Sequence, residues 1–151
     1  MLFTGYAELT IDAKGRLAIP AKYRNKWDSA RDGGAWYCLA WPGGTLRLYT
    51  ETTFELLAER LGEMQPVFDG EDTGVDPALF SMAERLEMDT AGRIMLPKPH
   101  IRRTKMPTEV AVVGARNRLE VYPRERWEQN QQAMFEKMPE LIRQAERKPP
   151  A

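Results

Sequence analysis

The chain has 151 residues, 42% hydrophobic and 29% charged, and its 22 basic side chains are balanced by 22 acidic ones, giving a formal net charge of zero. These proportions exclude a disordered or collagen-like chain, and no apolar run is long enough to span a bilayer. A single cysteine, Cys38, excludes an internal disulfide.

The first residues, MLFTGYAEL, show neither a basic leader nor an apolar signal core, so a cytoplasmic protein is expected. Ala7, Leu9 and Ile11 alternate with polar residues, and after a turn Leu17 and Ile19 alternate around Ala18, which is the period of a half-buried strand pair. Pro20 closes the second arm because proline cannot donate to a ladder. AKYRNKW (21–27) suits a short helix and SARDGG (29–34) a polar loop. WYCLAW and TLRLY then make a hairpin around Pro42, Gly43 and Gly44. Cys38, inside that apolar run, is expected to be a buried, inert thiol. Thr52 and Glu55 offer a capping box for a helix with Phe54, Leu57, Ala58 and Leu61 on one face, and Gly62 is its natural stop.

The stretch from Glu63 to Val75 is acidic and turn-rich, as a mobile linker would be, with Glu63, Asp69, Glu71, Asp72 and, just beyond, Asp76 as its acids. Asp76 and Pro77 suit the N-cap and first position of a short helix, PALFSMAE. Leu86, Met88, Ile94 and Leu96 repeat the alternation of the first arms, EVAVVGA and RLEVY follow as strands, and a final helix enters through Pro123. Trp127, Met134, Met138, Leu141 and Ala145 share a face of it, and Pro139 is expected to bend or split it, with the tail ERKPPA fraying. The four tryptophans, at helical or strand spacing, are expected in the core or a subunit interface, and His100, the one histidine, in a polar loop.

Residues 8–20 read ELTIDAKGRLAIP and residues 85–97 read RLEMDTAGRIMLP, so the frame Asp-x-x-Gly-Arg occurs twice, and LRLYTETTFE (46–55) likewise answers RLEVYPRERWE (118–128). Two half-size copies imply internal pseudo-two-fold symmetry. The expected divisions are a first repeat over 1–62, an acidic connector with a short helix over 63–80, and a second repeat with a C-terminal helix over 81–147. In each turn the aspartate, Asp12 or Asp89, is expected to accept from turn amides and pin the arginine four residues on, while Gly15 and Gly92 supply positive φ.

Although net charge is zero, its distribution is uneven. Residues 14–26 hold Lys14, Arg16, Lys22, Arg24 and Lys26 without an acid, and residues 93–105 hold Arg93, Lys98, Arg102, Arg103 and Lys105 without one. Local sign creates the field that a phosphate backbone feels. Paired turns bearing Lys14, Arg16 and Arg93 match the symmetric backbone of duplex DNA. No Ser/His pair, nucleotide-binding glycine pattern or metal-ligand cluster supports an enzyme, and no cofactor, metal or small-molecule substrate is expected.

GYAELTIDAKGRLAIPAKYR, MDTAGRIMLP, VAVVGARNRLEVY and RERWE together resemble the MraZ family, bacterial transcription factors of the AbrB-like superfamily, in the same order along nearly the whole chain. The resemblance implies a mostly β protein with flanking helices (α+β), built as an AbrB-like swapped-hairpin barrel from two internal repeats. It also implies ring-shaped homo-oligomers, often octamers, nucleoid-associated, that bind repeated promoter elements of the division and cell-wall gene cluster and act mostly as repressors. Carried over by position, the family's Asp-x-x-x-Arg motif falls on Asp12 to Arg16 and Asp89 to Arg93, with Lys14, Arg16 and Arg93 facing DNA, and Lys22 and Arg24 close behind.

Two departures stand out: Lys14 corresponds to Ala91, and the second repeat has PKPHIR where the first has PAKYR, which leaves the roles of Lys98, Arg102 and Arg103 open. The alternative is a ring-forming scaffold whose basic turns bind acidic partners. An antitoxin-like module, normally one copy with a disordered tail, fits the doubled copy less well.

Overall fold

A computed structural model describes residues 1–64 and 74–147. The strands are β1 (Tyr6–Thr10), β2 (Arg16–Ala18), β3 (Trp36–Trp41), β4 (Thr45–Thr50), β5 (Ala83–Leu86), β6 (Arg93–Met95), β7 (Glu109–Gly114) and β8 (Leu119–Pro123). The helices are α1 (Ala21–Arg24), α2 (Ser29–Asp32), α3 (Glu51–Met64), α4 (Val75–Phe80), α5 (Lys98–Thr104) and α6 (Arg124–Arg147). The result is the mostly β architecture with flanking helices that the sequence implies. The six-stranded antiparallel sheet, in the order β1-β7-β8-β4-β3-β5, stays open at β1 and β5, and β2 pairs with β6 as a separate ribbon. It is therefore not a closed barrel.

The strand order reads the same from either end once the repeats are exchanged. β1 of the first repeat pairs with β7 of the second, β5 of the second pairs with β3 of the first, and β4 meets β8 at the centre. The expected pairing of the two arms of each repeat is thus replaced by an exchange, β1 and β5 crossing to the other repeat and β2 and β6 pairing with each other. The pseudo-dyad passes between Arg47 and Glu120 in the sheet and between Leu17 and Ile94 in the ribbon. Exchange explains why neither half needs a core of its own: Leu17, Leu46, Leu48, Ile94, Leu119 and Val121, from both halves, are all fully buried in one cluster. Roughly 25 cal/mol per Å² of apolar surface removed from water is gained only when the two halves meet.

The strands next to the edges, β3 and β7, carry near-continuous buried apolar runs. Edge strand β1 keeps the half-exposed alternation. Trp36 lies at the centre of the core and Trp27 packs against it at 5.1 Å between ring centroids. Cys38 is fully buried, and burial, with the charge of Glu84, pushes its thiol up to about 12. It is an inert packing residue.

Local chemistry shifts several boundaries. Asp28 accepts from the amide of Ala30 and starts α2 inside the expected polar loop. Thr50, not Thr52, caps α3, accepting from the amide of Thr53 at 3.2 Å. The helix runs through Gly62 to Met64, because one glycine costs only about 1 kcal/mol in a helix. Gly74 is the N-cap of α4, one position before Val75, which puts Pro77 within the first turn, and β5 begins at Ala83 where the expected helix would continue. Pro139 neither splits nor ends α6, which continues to Arg147. Most of the acidic connector, including Asp69, Glu71 and Asp72, and the last four residues lie outside the described residues.

Among the described residues no helix is long and apolar enough to cross a membrane. No group of three or more His, Cys, Asp or Glu side chains among them is placed to hold a metal ion.

Candidate nucleic-acid interface

Each Asp-x-x-Gly-Arg segment folds into the same closed turn. The amide of Asp12 donates to the carbonyl of Arg16 at 3.0 Å and that of Gly15 to Asp12 at 2.9 Å; Asp89 and Arg93 repeat the pattern at 2.8 Å, and Gly92 and Asp89 at 2.9 Å. Gly15 and Gly92 sit at φ +85° and +76°, in the left-handed region that a side chain resists by roughly 1–2 kcal/mol. The aspartate then fills the inside of its turn. Oδ1 of Asp12 accepts from the amides of Lys14 and Arg16, both at 2.9 Å, and Oδ2 accepts from Nε of Arg16 at 2.7 Å. Asp89 does the same with the amides of Ala91 and Arg93 and with Nε of Arg93, all at 2.9 Å. With Nε occupied, each arginine still carries its two Nη groups as a planar donor fork.

The ribbon joins the two turns, one at each end, across the pseudo-dyad. Arg16 is paired with Met95 and Ala18 with Arg93, while the amide of Ile19 donates to Gly92 and that of Leu96 to Gly15, both at 2.9 Å. Beneath them Leu17 and Ile94 are completely buried. Arg16 keeps 26% of its side-chain surface accessible and Arg93 37%, so neither guanidinium is drawn into the core. The sequence placed Lys14, Arg16, Arg93, Asp12, Gly15, Asp89 and Gly92 in the turns, and the structure brings all seven to one ribbon.

The two remaining candidates behave differently. Lys22 donates from Nζ to the carbonyl of Tyr6 at 3.2 Å and lies over the ring of Tyr23. Arg24 donates from Nη1 to the carbonyl of Ala91 at 2.6 Å, so an arginine of the first repeat clasps the turn of the second. Sequence spacing held no signal for that contact, since it joins residues 67 positions apart.

His100 was expected in a polar loop, yet it is buried on α5. Its Nε2 faces the carbonyls of Met82 at 2.6 Å and Cys38 at 3.2 Å, and two acceptors at one nitrogen mean that Nε2 carries the proton and donates. Tyr23 is its counterpart, donating to Thr4 at 2.7 Å and Gly5 at 3.3 Å. Each holds the segment that leads into the exchanged strand.

The amides around each aspartate also set its acidity. Both carboxyls are held below the usual carboxylate range, chiefly by the amide of the arginine four residues on; desolvation opposes this next, and the arginine side chain and the intervening amide then add to the lowering. A lowered folded-state pKa contributes stability that is present above the unfolded value, about 3.9, and is lost as pH falls through the folded value. The turns should therefore be indifferent to pH from about 5 to 8 and loosen below about 4. Denaturation midpoints at pH 3 and pH 5 check this: the difference between them should shrink in Asp12→Asn and Asp89→Asn, and an undiminished difference would locate the acid sensitivity elsewhere.

Residues 2–75 and 79–148 match the family model described as "MraZ protein, putative antitoxin-like". The chain belongs to the MraZ family. Relatives named Transcriptional regulator MraZ include that of Neisseria meningitidis serogroup C, 35% identical over 127 residues covering 84% of this chain and 83% of that protein. The protein of that name from Marinomonas sp. is 30% identical over 127 residues, 84% of this chain and 83% of the relative. That of Hydrogenovibrio crunogenus is 29% identical over 136 residues, 90% of this chain and 89% of its own length. The MraZ match takes in both Asp-x-x-Gly-Arg turns and the ribbon between them.

Proposed function

We propose that this chain is a transcription regulator that binds duplex DNA in a sequence-specific way through its paired turns and is not an enzyme. It acts as a repressor of the division and cell-wall gene cluster, in the cytoplasm and at the nucleoid. The observation that carries the reading is the ribbon: two turns of one geometry, each with a partly exposed arginine held through Nε by its own aspartate, joined end to end by paired backbone. Lys14, Arg16 and Arg93 are the DNA-facing side chains. A bidentate arginine on guanine supplies roughly 1–3 kcal/mol of discrimination.

One ribbon alone binds weakly, so the reading includes a homo-oligomeric ring, octameric or similar, in which several ribbons engage successive promoter repeats. Each linked engagement multiplies affinity by about 10² to 10⁴ where geometry allows. Support for assembly comes from the second half of α6, where Met134, Phe135, Met138, Leu141 and Ile142 are exposed, an apolar face of the kind that multimers cover.

Footprinting on DNA upstream of the protein's own gene tests binding, autoregulation and repeat spacing together, and should give protected elements at regular intervals. In a salt titration log K should fall linearly with log salt, at about 0.9 per phosphate contacted. A flat slope with no protected element would instead favour the protein-interaction scaffold.

A further inference from the structure

The two turns share a backbone but not their surroundings. A Cβ added at Gly92 would collide with the guanidinium of Arg24, whereas one added at Gly15 would meet nothing nearer than Met95 Sδ at 3.9 Å. The cause is one substitution between the repeats. Tyr23 and His100 hold equivalent places, each donating its amide to the proline that opens its helix, so the residue after each is also equivalent: Arg24 in α1 and Ile101 in α5. Arg24 covers the second turn, and Ile101 is too short to cover the first.

What Ile101 leaves open is a cleft of about 360 Å³ beside the first turn. Its floor is apolar, with Ile11, Leu96, Ile101 and Met106, and its rim carries Lys14, Lys98 and Arg102 against a single carboxylate, Asp12. The oxygens of Asp12 are already engaged by Arg16 and by turn amides. Lys14, Lys98 and Arg102 are exposed and make no ion pair among the described residues. An apolar floor under three free cations fits an anion with an apolar body, and next to a DNA-facing turn that description fits a thymine, with its C5 methyl, and the adjoining phosphate.

We propose that this cleft is a nucleotide subsite present at the first turn and absent at the second, where the thymine methyl meets Ile101 and the phosphate meets Lys98 and Arg102. It rests on the DNA-binding reading and adds to it that two cations of the second repeat serve the first repeat's turn, while Arg24 is an internal clasp. The two turns then read different bases, so one protomer recognises an asymmetric element.

Fluorescence anisotropy with the intact protein and its promoter duplex tests this. Lys98→Ala/Arg102→Ala should lower the slope of log K against log salt by about 1 for each engaged protomer, at 0.9 per phosphate. Arg24→Ala should leave the slope unchanged. Uracil replacing thymine at one position of each element should weaken binding about fourfold, the value of one buried methyl group, and Ile101→Ala should abolish that difference. Thermal melts confirm that each variant is folded, with Lys98→Gln/Arg102→Gln and Ile101→Val in reserve.

Two results would overturn the subsite while leaving the DNA-binding reading intact: an unchanged slope in Lys98→Ala/Arg102→Ala while Arg16→Ala loses binding, or indifference to uracil at every position. A fall in slope in Arg24→Ala equal to that of the double variant would overturn the asymmetry. Parental binding by both the double variant and Arg16→Ala would instead remove the first turn and its cleft from the interface, and absence of salt-dependent binding by the parent protein would sink the DNA-binding reading itself.

Discussion

Replacing Arg16 with alanine should abolish specific promoter binding while leaving the fold and the assembly as they are. The side chain contributes one charged hydrogen bond to Asp12, and the backbone of the turn keeps its other ties: Oδ1 of Asp12 still accepts from two amides and the amide of Asp12 still reaches the carbonyl of residue 16. Solvent screening leaves partly exposed pairs of this kind little weight in stability. The effect on binding is far larger. The first turn loses about 1–3 kcal/mol of base discrimination, and in a multivalent assembly the loss recurs in every engaged subunit.

A gel-shift titration should show affinity falling at least a hundredfold, to the level of unrelated DNA, with an unchanged elution volume in size exclusion. Arg93→Ala should cost less, because Ala91 gives its turn one cation fewer than Lys14 gives the first. Arg16→Lys separates charge from geometry: the salt slope should persist while specificity goes, since an ammonium cannot reproduce the fork. Promoter binding by Arg16→Ala at parental affinity would remove the first turn from the interface.

The turns were legible in the sequence because their chemistry is local. Asp12, Gly15 and Arg16 lie within five residues, the glycine is demanded by a positive φ, and the aspartate meets its amides two and four positions on, so the spacing contains the geometry. Strand positions were legible for the same reason, as alternation reports a pleated half-buried surface. Strand partners were not. Period-2 alternation in residues 7–19 is satisfied equally by pairing within the repeat and by the exchange with β7 and β6, and only the shared core selects the exchange.

The misread helix boundaries are local competitions that composition does not decide. Thr50 and Thr52 are both good caps, and the chain uses the one at the end of β4. Pro139 lies in a stretch of α6 with exposed neighbours, where the lost backbone bond is left to solvent rather than buried. The burial of His100 and the contact of Arg24 with Ala91 escaped the sequence for a third reason, since both act across the pseudo-dyad or between distant segments. Superposing the repeats at Pro20 and Pro97 would have matched His100 to Tyr23 and marked it as buried.

If the ribbon holds the turns in place, its two dyad residues should be the costly ones to truncate. Leu17 and Ile94 are paired in register and both are fully buried. Removing the side chain of either beyond Cβ should cost about 2–5 kcal/mol, the transfer energy of the lost carbons plus the cavity left behind. For a chain of this size that lowers the melting temperature on the order of 10 °C. Met95 is the control: it lies on the same short strand, one residue from Ile94, but is 50% exposed, so Met95→Ala should stay within about 0.5 kcal/mol of the parent.

Because Leu17 and Ile94 face each other, their cavities should merge in the double variant, making the combined loss differ from the sum by more than about 0.5 kcal/mol. Denaturant unfolding of the four proteins measures this directly, and a loss below about 1 kcal/mol for Ile94→Ala would mean that the ribbon is not a structural element of the core. The functional consequence follows from the same geometry. At temperatures where Ile94→Ala is fully folded it retains every charged side chain of both turns, so any affinity it loses for promoter DNA relative to Met95→Ala reports the relative placement of the turns rather than their charge.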